Sequence, residues 1–233
     1  MFTLRKAQER GCSRYDWLDS RHSFSFAGYF DPKFMGFGVL RVINEDTVQP
    51  GRGFDTHGHR DMEIISYVLE GALQHRDSLG NGSVIGKGDV QRMSAGTGVM
   101  HSEFNASRDE PVHFLQIWIE PRQRGLAPGY EQKTVPDREK QGGFRVIASP
   151  DGREDSLTIQ QDALVFSRLW QSGESGRYSL ASGRQAYVHV AKGNVLVQDV
   201  PMAAGDGAML SGVGEIGFMG NACTEILLFD LAS

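Results

Sequence analysis

The sequence predicts an all-β protein built from many short strands. Short segments rich in Val, Ile, Leu and aromatic residues recur along the 233 residues, and convincing amphipathic helices are few. The 29 glycines are scattered along the chain and do not form a tandem linker. Short apolar segments bounded by glycine are typical of strands joined by tight turns. The pattern therefore favours a β-sandwich, a barrel or a jelly roll.

Six segments carry the strand pattern most clearly, and Gly, Asn, Asp or Pro bounds most of them. They are "GFGVLRVI" (36–43), "EIISYVLEG" (63–71), "VHFLQIWI" (112–119), "FRVIAS" (144–149), "AYVHVAKGNVLVQDV" (186–200) and "TEILLFDL" (224–231).

Between residues 121 and 143 the texture of the chain changes. This stretch has three prolines, many charges and little apolar periodicity. Such composition is typical of a connection between domains. We therefore expect an N-terminal domain over 1–125, a linker over 126–143 and a C-terminal domain over 144–233.

The two halves of the chain resemble each other. The segments "YVLEGAL" (67–73) and "HVAKGNV" (189–195) both read as strand, charged residue, glycine and strand. Such self-similarity indicates two copies of one β unit. When Gly71 is aligned with Gly193, the second half offers Ser, Ala and Gln where the first half carries its candidate metal ligands. Any metal chemistry is therefore expected in the first half.

Charge and hydropathy argue against nucleic-acid and membrane partners. The net charge is −5 and no run of Lys and Arg exceeds two residues, so a basic binding stripe is absent from the sequence. The N-terminus lacks the apolar core of a signal peptide, and no stretch approaches the roughly 18 apolar residues of a membrane span. Cys12 and Cys223 lie outside any CxxC pair. We read them as reduced thiols of a cytoplasmic protein.

The stretch "FDTHGHRDMEI" (54–64) is the first candidate for a metal site. His57, His59 and Glu63 share the parity of one strand face, so a regular strand would point all three side chains to the same side. A single His-x-His pair on a strand is more often surface or core histidine than ligand. The in-phase acid makes a ligand role more credible.

A second pair of the same kind follows in "MSAGTGVMHSEFN" (93–105), where His101 and Glu103 also share one face. Two such strands together would present three imidazoles and one or two carboxylates around a point. This donor set, with positions left open for water or substrate, suits Fe(II) and also Cu, Ni, Mn or Zn. Spacing alone leaves Glu63 and Glu103 both open as the carboxylate ligand.

These motifs carry a family resemblance. "GRGFDTHGHRDMEIISYVLEG" resembles the first cupin motif, and "GDVQRMSAGTGVMHSEFN" resembles the second. The second motif departs from the cupin pattern in having Ser94 where Pro is usual, and in a longer gap between Gly96 and His101. These departures, together with "HRDSLGNG" (75–82) and "RHSFSFAGYFDPKFMGFGVLRVINED" (21–46), resemble the pirin family. The resemblance is strongest to bacterial pirin-like proteins described as quercetin 2,3-dioxygenases.

The resemblance implies a bicupin, two stacked jelly-roll-type β-barrels with few short helices, of which only the N-terminal one binds metal. The family's ligands match His57, His59, His101 and Glu103, and the expected metal is one Fe(II). Glu63 then becomes a neighbouring group that orients a ligand or exchanges a proton with the substrate. Glu103 and Glu63 are thus both candidates for catalytic proton transfer.

The activity that the resemblance implies is a dioxygenase that opens a flavonol ring with O2 and releases CO. A flavonol or similar aromatic enol would bind through its 3-hydroxyl, whose pKa falls on metal coordination. An alternative is a regulatory protein that binds a partner protein and uses the metal as a structural or redox-sensing centre. A third reading is a metal-stabilised protein without turnover. An open metal site facing a cavity favours the enzyme, and a closed one favours the others.

The remaining histidines are expected to play structural roles. His75 is predicted to be a turn or rim residue, His22 to pack a core near the pocket, and His113 to be a core histidine. His189 is alone in the half without candidate ligands. Four apolar residues near the motifs are expected to pack the core and not to line a cavity: Phe37, Met93, Met100 and Phe114.

Overall fold

The computed structural model describes residues 1–221 and 223–233 and is almost entirely β. Its helices within this range are three short 3-10 turns at Ala7–Glu9, Asp137–Lys140 and Arg153–Asp155. The all-β prediction is confirmed. No helix of the described chain has the length and hydropathy needed to cross a membrane.

The strands are numbered here in chain order. They are β1 (Phe2–Arg5), β2 (Gly11–Tyr15), β3 (Leu18–His22), β4 (Leu40–Val48), β5 (Gly53–His59), β6 (Glu63–Glu70), β7 (Ala72–Asp77), β8 (Gly82–Gly86), β9 (Asp89–Ser94), β10 (Val99–Asn105), β11 (Val112–Ile119), β12 (Gly129–Thr134), β13 (Arg145–Ser149), β14 (Leu157–Thr158), β15 (Ala163–Trp170), β16 (Ser175–Ser179), β17 (Arg184–Lys192), β18 (Asn194–Val197), β19 (Val200–Ala203), β20 (Gly207–Ser211), β21 (Glu215–Gly220) and β22 (Thr224–Ala232).

The six predicted strand segments are all found as strands, with one shifted boundary. β6, β11, β13 and β22 lie where the apolar pattern places them, and 186–200 divides into β17, β18 and β19. The segment 36–43 differs, because its strand begins only at Leu40 and continues to Val48. Gly38 has a left-handed φ of 57° within a turn that joins Phe37 to Leu40, so the strand cannot start earlier.

The chain folds into two compact units that are not contiguous in sequence. One comprises 11–135 with 157–161, and the other comprises 1–10, 136–156 and 162–233. The first residues join the second unit because β1 pairs antiparallel with β20. The division into domains 1–125 and 144–233 with a linker over 126–143 stays a prediction.

The two units contain the same arrangement of eight antiparallel strands. In the first unit the sheet orders are β9-β6-β11-β4 and β5-β10-β7-β8. In the second they are β20-β17-β22-β15 and β16-β21-β18-β19. Adding eleven to each of these eight strand numbers of the first unit yields the eight strand numbers of the second. The weak sequence repeat therefore reflects a repeated topology.

A row of polar side chains crosses the larger sheet of the first unit. His22, Asn44, Gln116, Ser66 and Gln91 are register neighbours on β3, β4, β11, β6 and β9, and all five are buried. The same unit also has an apolar cluster, which includes Leu18, Val48, Val68, Leu73, Ile85, Val112 and Phe114. Buried polar groups are stable only when they find hydrogen-bond partners. The row therefore marks the part of the sheet that faces a polar site.

Gly71 closes the β6–β7 turn, and its replacement tests that turn. Its φ is +75° and an added Cβ would lie 2.7 Å from the carbonyl oxygen of Pro111. We expect Gly71→Ala to lower the free energy of unfolding by about 1–3 kcal/mol through strain and clash. Gly80→Ala is the control, since Gly80 has a φ of +92° but open space around it. Equal losses in denaturant unfolding would contradict the role of the close approach.

Candidate metal centre and its cavity

Pairing between β5 and β10 brings the three predicted histidine ligands together. His101 lies directly opposite His57 in this antiparallel pair, and opposite residues face the same side of a sheet. His59 lies two residues from His57 and so shares its face. Their ligand nitrogens all lie within 4.8 Å of one another. The structure therefore brings these three histidines together, and their role as metal ligands stays a prediction.

The distances within the histidine cluster fit a divalent metal. Nε2 of His59 is 3.0 Å from Nε2 of His101, and the three ring centroids are 4.5–4.9 Å apart. Two nitrogens that bind one ion at right angles, each at about 2.1 Å, lie about 3.0 Å apart. Nδ1 of His57 lies 2.7 Å from the carbonyl oxygen of Asp55, so Nδ1–H donates and Nε2 keeps its lone pair.

Burial keeps these imidazoles in the form that binds metal. Desolvation, with smaller contributions from the neighbouring imidazoles, lowers the pKa of His59 to about 4 and that of His101 to about 3. Both rings are therefore neutral at physiological pH, and a neutral ring presents a lone pair to a cation.

Glu103 adjoins the cluster through His101. It is buried, and its carboxylate accepts hydrogen bonds from Oγ of Ser66 at 3.1 Å and Nε2 of Gln116 at 2.7 Å. Within 4.8 Å its oxygens group with His101 and His75, and not with the other two predicted ligands. The polar row of the larger sheet therefore holds this carboxylate beside the histidines.

Glu63 lies elsewhere, and the parity argument that placed it with the histidines is wrong. β5 ends at His59, and Asp61, with a left-handed φ of 52°, breaks the chain direction before β6 begins in the other sheet. The Glu63 carboxyl accepts hydrogen bonds from Oγ of Ser94 and the backbone N–H of Gln160. Burial raises its pKa. Shared parity requires one continuous strand from His57 to Glu63, but the chain forms two strands, β5 and β6.

His75 is the functional candidate that the sequence analysis missed. It was predicted to be a turn or rim residue, but it lies on β7 opposite Glu103 and is fully buried. Nε2 of His75 is 3.1 Å from Oδ2 of Asp77, and its Nδ1 is 3.4 Å from Nδ1 of His101. The available signal was its spacing, because His75 and Asp77 repeat the one-residue gap of the other two pairs.

Family models match both halves of the chain. Residues 3–119 match the model named Pirin, and residues 146–231 match the model described as a quercetinase C-terminal cupin domain. The chain belongs to the pirin family. It is 44% identical over 231 residues to the quercetin 2,3-dioxygenase of Escherichia coli K12, covering 99% of each chain. It is 41% identical over 223 residues to a pirin-like protein of Caulobacter vibrioides, covering 95% of this chain and 96% of that one.

Solved structures agree with this assignment. The crystal structure of YhhW from Escherichia coli superposes with a TM-score of 0.96 at 44% identity, covering 99% of this chain and 97% of that one. A structure described as the bacterial pirin YhhW in complex with nickel(II) gives a TM-score of 0.95, also at 44% identity, covering 100% and 99%. The nickel complex of a close homologue and the histidine cluster of this pirin together support a divalent metal.

A cavity of 380 Å³ opens beside the histidine cluster of this pirin. Its lining includes His57, His59 and Glu103, together with the polar side chains Ser13, Ser20, His22, Asn44, Asp46 and Gln116 and the apolar or aromatic residues Tyr15, Trp17, Leu18, Phe26, Ala27, Phe54 and Trp118. The Trp118 ring lies 5.0 Å from the ring of His59, and Trp17 packs edge-on against Phe54 at 5.2 Å. The cavity is thus lined by both aromatic and polar side chains.

The residues expected to pack the core do so only in part. Met93 and Phe114 are fully buried in apolar clusters, as expected, whereas Met100 is exposed. His189 is buried, but His113 remains partly exposed and pairs with Glu45. The expectation of a core histidine at His113 is therefore wrong, because its ring is partly exposed and pairs with the partly buried carboxylate of Glu45.

Asp46 allows a test of the cavity wall. Burial raises its pKa to about 7, whereas the unfolded value is near 3.8. The folded state therefore holds an extra proton between these values, and stability falls as pH rises from about 4 to 7. For metal-free protein we expect Asp46→Asn to be more stable than wild type at pH 8, on the order of 2 kcal/mol, and this advantage to shrink at pH 5.

The measurement is thermal or denaturant unfolding at both pH values. Glu45→Gln is the matched control, because Glu45 is the neighbouring acid on β4 and pairs with His113. An advantage of Asp46→Asn that is the same at pH 5 and pH 8 would show that Asp46 is ionised throughout.

Proposed function

We propose that this pirin is a metal-dependent dioxygenase that opens flavonols with O2 and releases CO. The observation that carries the proposal is the cavity in which His57 and His59 meet an aromatic wall. The 44% identity to a protein named quercetin 2,3-dioxygenase, over 99% of both chains, supports the same reaction class. We also propose that the two units are the two barrels of a bicupin.

His57, His59 and His101 would hold the metal, with Glu103 as the carboxylate ligand. Three imidazoles and a carboxylate suit Fe(II), which we propose as the working metal, and the nickel complex of the homologue supports Ni(II) as an alternative. Ser66 and Gln116 orient Glu103 by donating a hydrogen bond to each of its oxygens. Such partners of a ligand tune both its position and its basicity.

When bound, the metal supplies a Lewis acid that lowers the pKa of a coordinated phenolic hydroxyl and a centre for reaction with O2. The chain's own residues bind and orient the substrate. Trp17, Phe54 and Trp118 offer aromatic surface to a planar ring system. Glu103 accepts the proton of the 3-hydroxyl at a carboxylate oxygen.

Glu63 has no part in this proposal. Its carboxyl is bound by Ser94 and Gln160, and it does not line the cavity. A carboxyl without access to the substrate cannot exchange a proton with it directly. Proton transfer is therefore assigned to Glu103 alone of the two predicted acids.

The regulatory alternative, in which the metal is structural or redox-sensing and the protein acts through a partner, has less support. A structural metal site is closed by protein ligands, whereas a catalytic one keeps positions open. Here three of the four proposed ligands line a cavity of 380 Å³, large enough for a small aromatic molecule. This access favours turnover.

Release of CO and uptake of O2 with quercetin test the proposed reaction. Protein stripped of metal and reloaded with Fe(II) should release CO in proportion to the quercetin consumed. His57→Ala, loaded identically, should lose at least about a hundredfold in rate, because the metal that activates the substrate is no longer held. His113→Ala, a histidine outside the cluster, should retain the wild-type rate. Absence of CO from wild-type protein with metal content verified would contradict the dioxygenase.

A further inference from the structure

His101 has a different partner at each of its ring nitrogens. Nε2 faces Nε2 of His59 at 3.0 Å, on the side of the proposed metal. Nδ1 faces Nδ1 of His75 at 3.4 Å, on the opposite side. His75 in turn places Nε2 3.1 Å from Oδ2 of Asp77. A continuous line of polar contacts therefore runs from Asp77 through His75 to the histidine cluster.

This line is shielded from water. The side chains of His75 and Asp77 have no exposed surface, and His101 is 2% exposed. In such surroundings a hydrogen bond that is lost is not replaced by one to solvent. Which nitrogen of each histidine donates and which accepts is therefore fixed by its protein partners.

Asp77 is held as a hydrogen-bond acceptor by its own turn. Its Oδ1 accepts from the backbone N–H groups of Leu79 at 2.9 Å and Asn81 at 3.0 Å. Its Oδ2 accepts from Nδ2 of Asn81 at 2.9 Å and faces His75. The two backbone donors cannot reverse, so the carboxylate is fixed in place and in role.

We propose that Asp77 and His75 form a relay that sets the tautomer of His101. In this relay Asp77 accepts a hydrogen bond from Nε2–H of His75. The His75 tautomer that carries its proton on Nε2 has its lone pair on Nδ1, so Nδ1 of His75 is the acceptor. His101 must then donate its Nδ1–H to His75, which leaves the lone pair of its Nε2 free on the metal side. His75 and Asp77 are thus positioning residues for the metal. The relay goes beyond the proposed oxidation, because it governs metal affinity whatever the substrate.

Asp77→Asn should reverse the relay. The amide oxygen of the new side chain is held by the fixed N–H groups of Leu79 and Asn81, so its NH2 group faces His75. His75 then accepts at Nε2 and carries its proton on Nδ1, which forces the proton of His101 onto Nε2 and blocks the lone pair. Loss of such a partner of a ligating histidine typically lowers metal affinity about 10–100-fold.

The experiment is a titration of chelator-stripped full-length protein with Ni(II) against a competing chromogenic chelator. We expect Asp77→Asn to bind Ni(II) about 10–100-fold more weakly than wild type. Asn81→Ala is the matched control, since it removes another donor to the same Oδ2 but leaves the His75 contact, and it should stay within about twofold. His75→Phe, which keeps a ring against Tyr130, should weaken binding as Asp77→Asn does.

Two further readouts separate positioning from loss of structure. The metal-free variants Asp77→Asn and Asn81→Ala should unfold at similar temperatures, and the visible spectrum of Ni(II)-saturated Asp77→Asn should differ from that of wild type. Wild-type affinity in Asp77→Asn, or equal loss of affinity in Asn81→Ala, would overturn the relay. Because no flavonol is used, failure of the dioxygenase proposal would leave this result unaffected.

Discussion

The register of β10 against β5 is the constraint on which the candidate metal centre depends. It sets His101 opposite His57, and the alternation of the strand then brings His59 to the same face. A shift of one residue would turn every one of these side chains to the other side of the sheet. The buried face of β10, which also carries Glu103, opposes such a shift. The register that packs the sheet is therefore the same register that assembles the site.

Burial gives the site its chemistry. Removing imidazoles from water favours their neutral form, and the proximity of three such rings strengthens the effect. A buried cluster of this kind is stable only if every polar group has a partner. Ser66 and Gln116 supply partners for Glu103, and His75 supplies one for His101. The polar row across the larger sheet and the His75 contact are thus part of the site.

The second unit shows that the strand arrangement alone does not make a metal centre. It repeats the strand order of the first unit, and Gly193 repeats the left-handed turn of Gly71, with φ values of 77° and 75°. Yet β16 and β21, the counterparts of β5 and β10, contain no histidine. One topology therefore carries a candidate site in one copy and, among the residues that the structure describes, none in the other, because chemistry depends on side chains placed upon the fold.

Local sequence patterns were enough to predict the all-β class, eight of the 22 described strands and the three histidines, because periodicity and short spacing are local properties of a chain. Only the tertiary structure separated Glu63 from the site, since a left-handed residue between two strands sends that carboxyl to another sheet. It alone revealed His75, whose partner His101 lies 26 residues away on a neighbouring strand. It also joined β1 to β20, a pairing across some 200 residues. Such contacts depend on which strands become neighbours, and no local pattern specifies that.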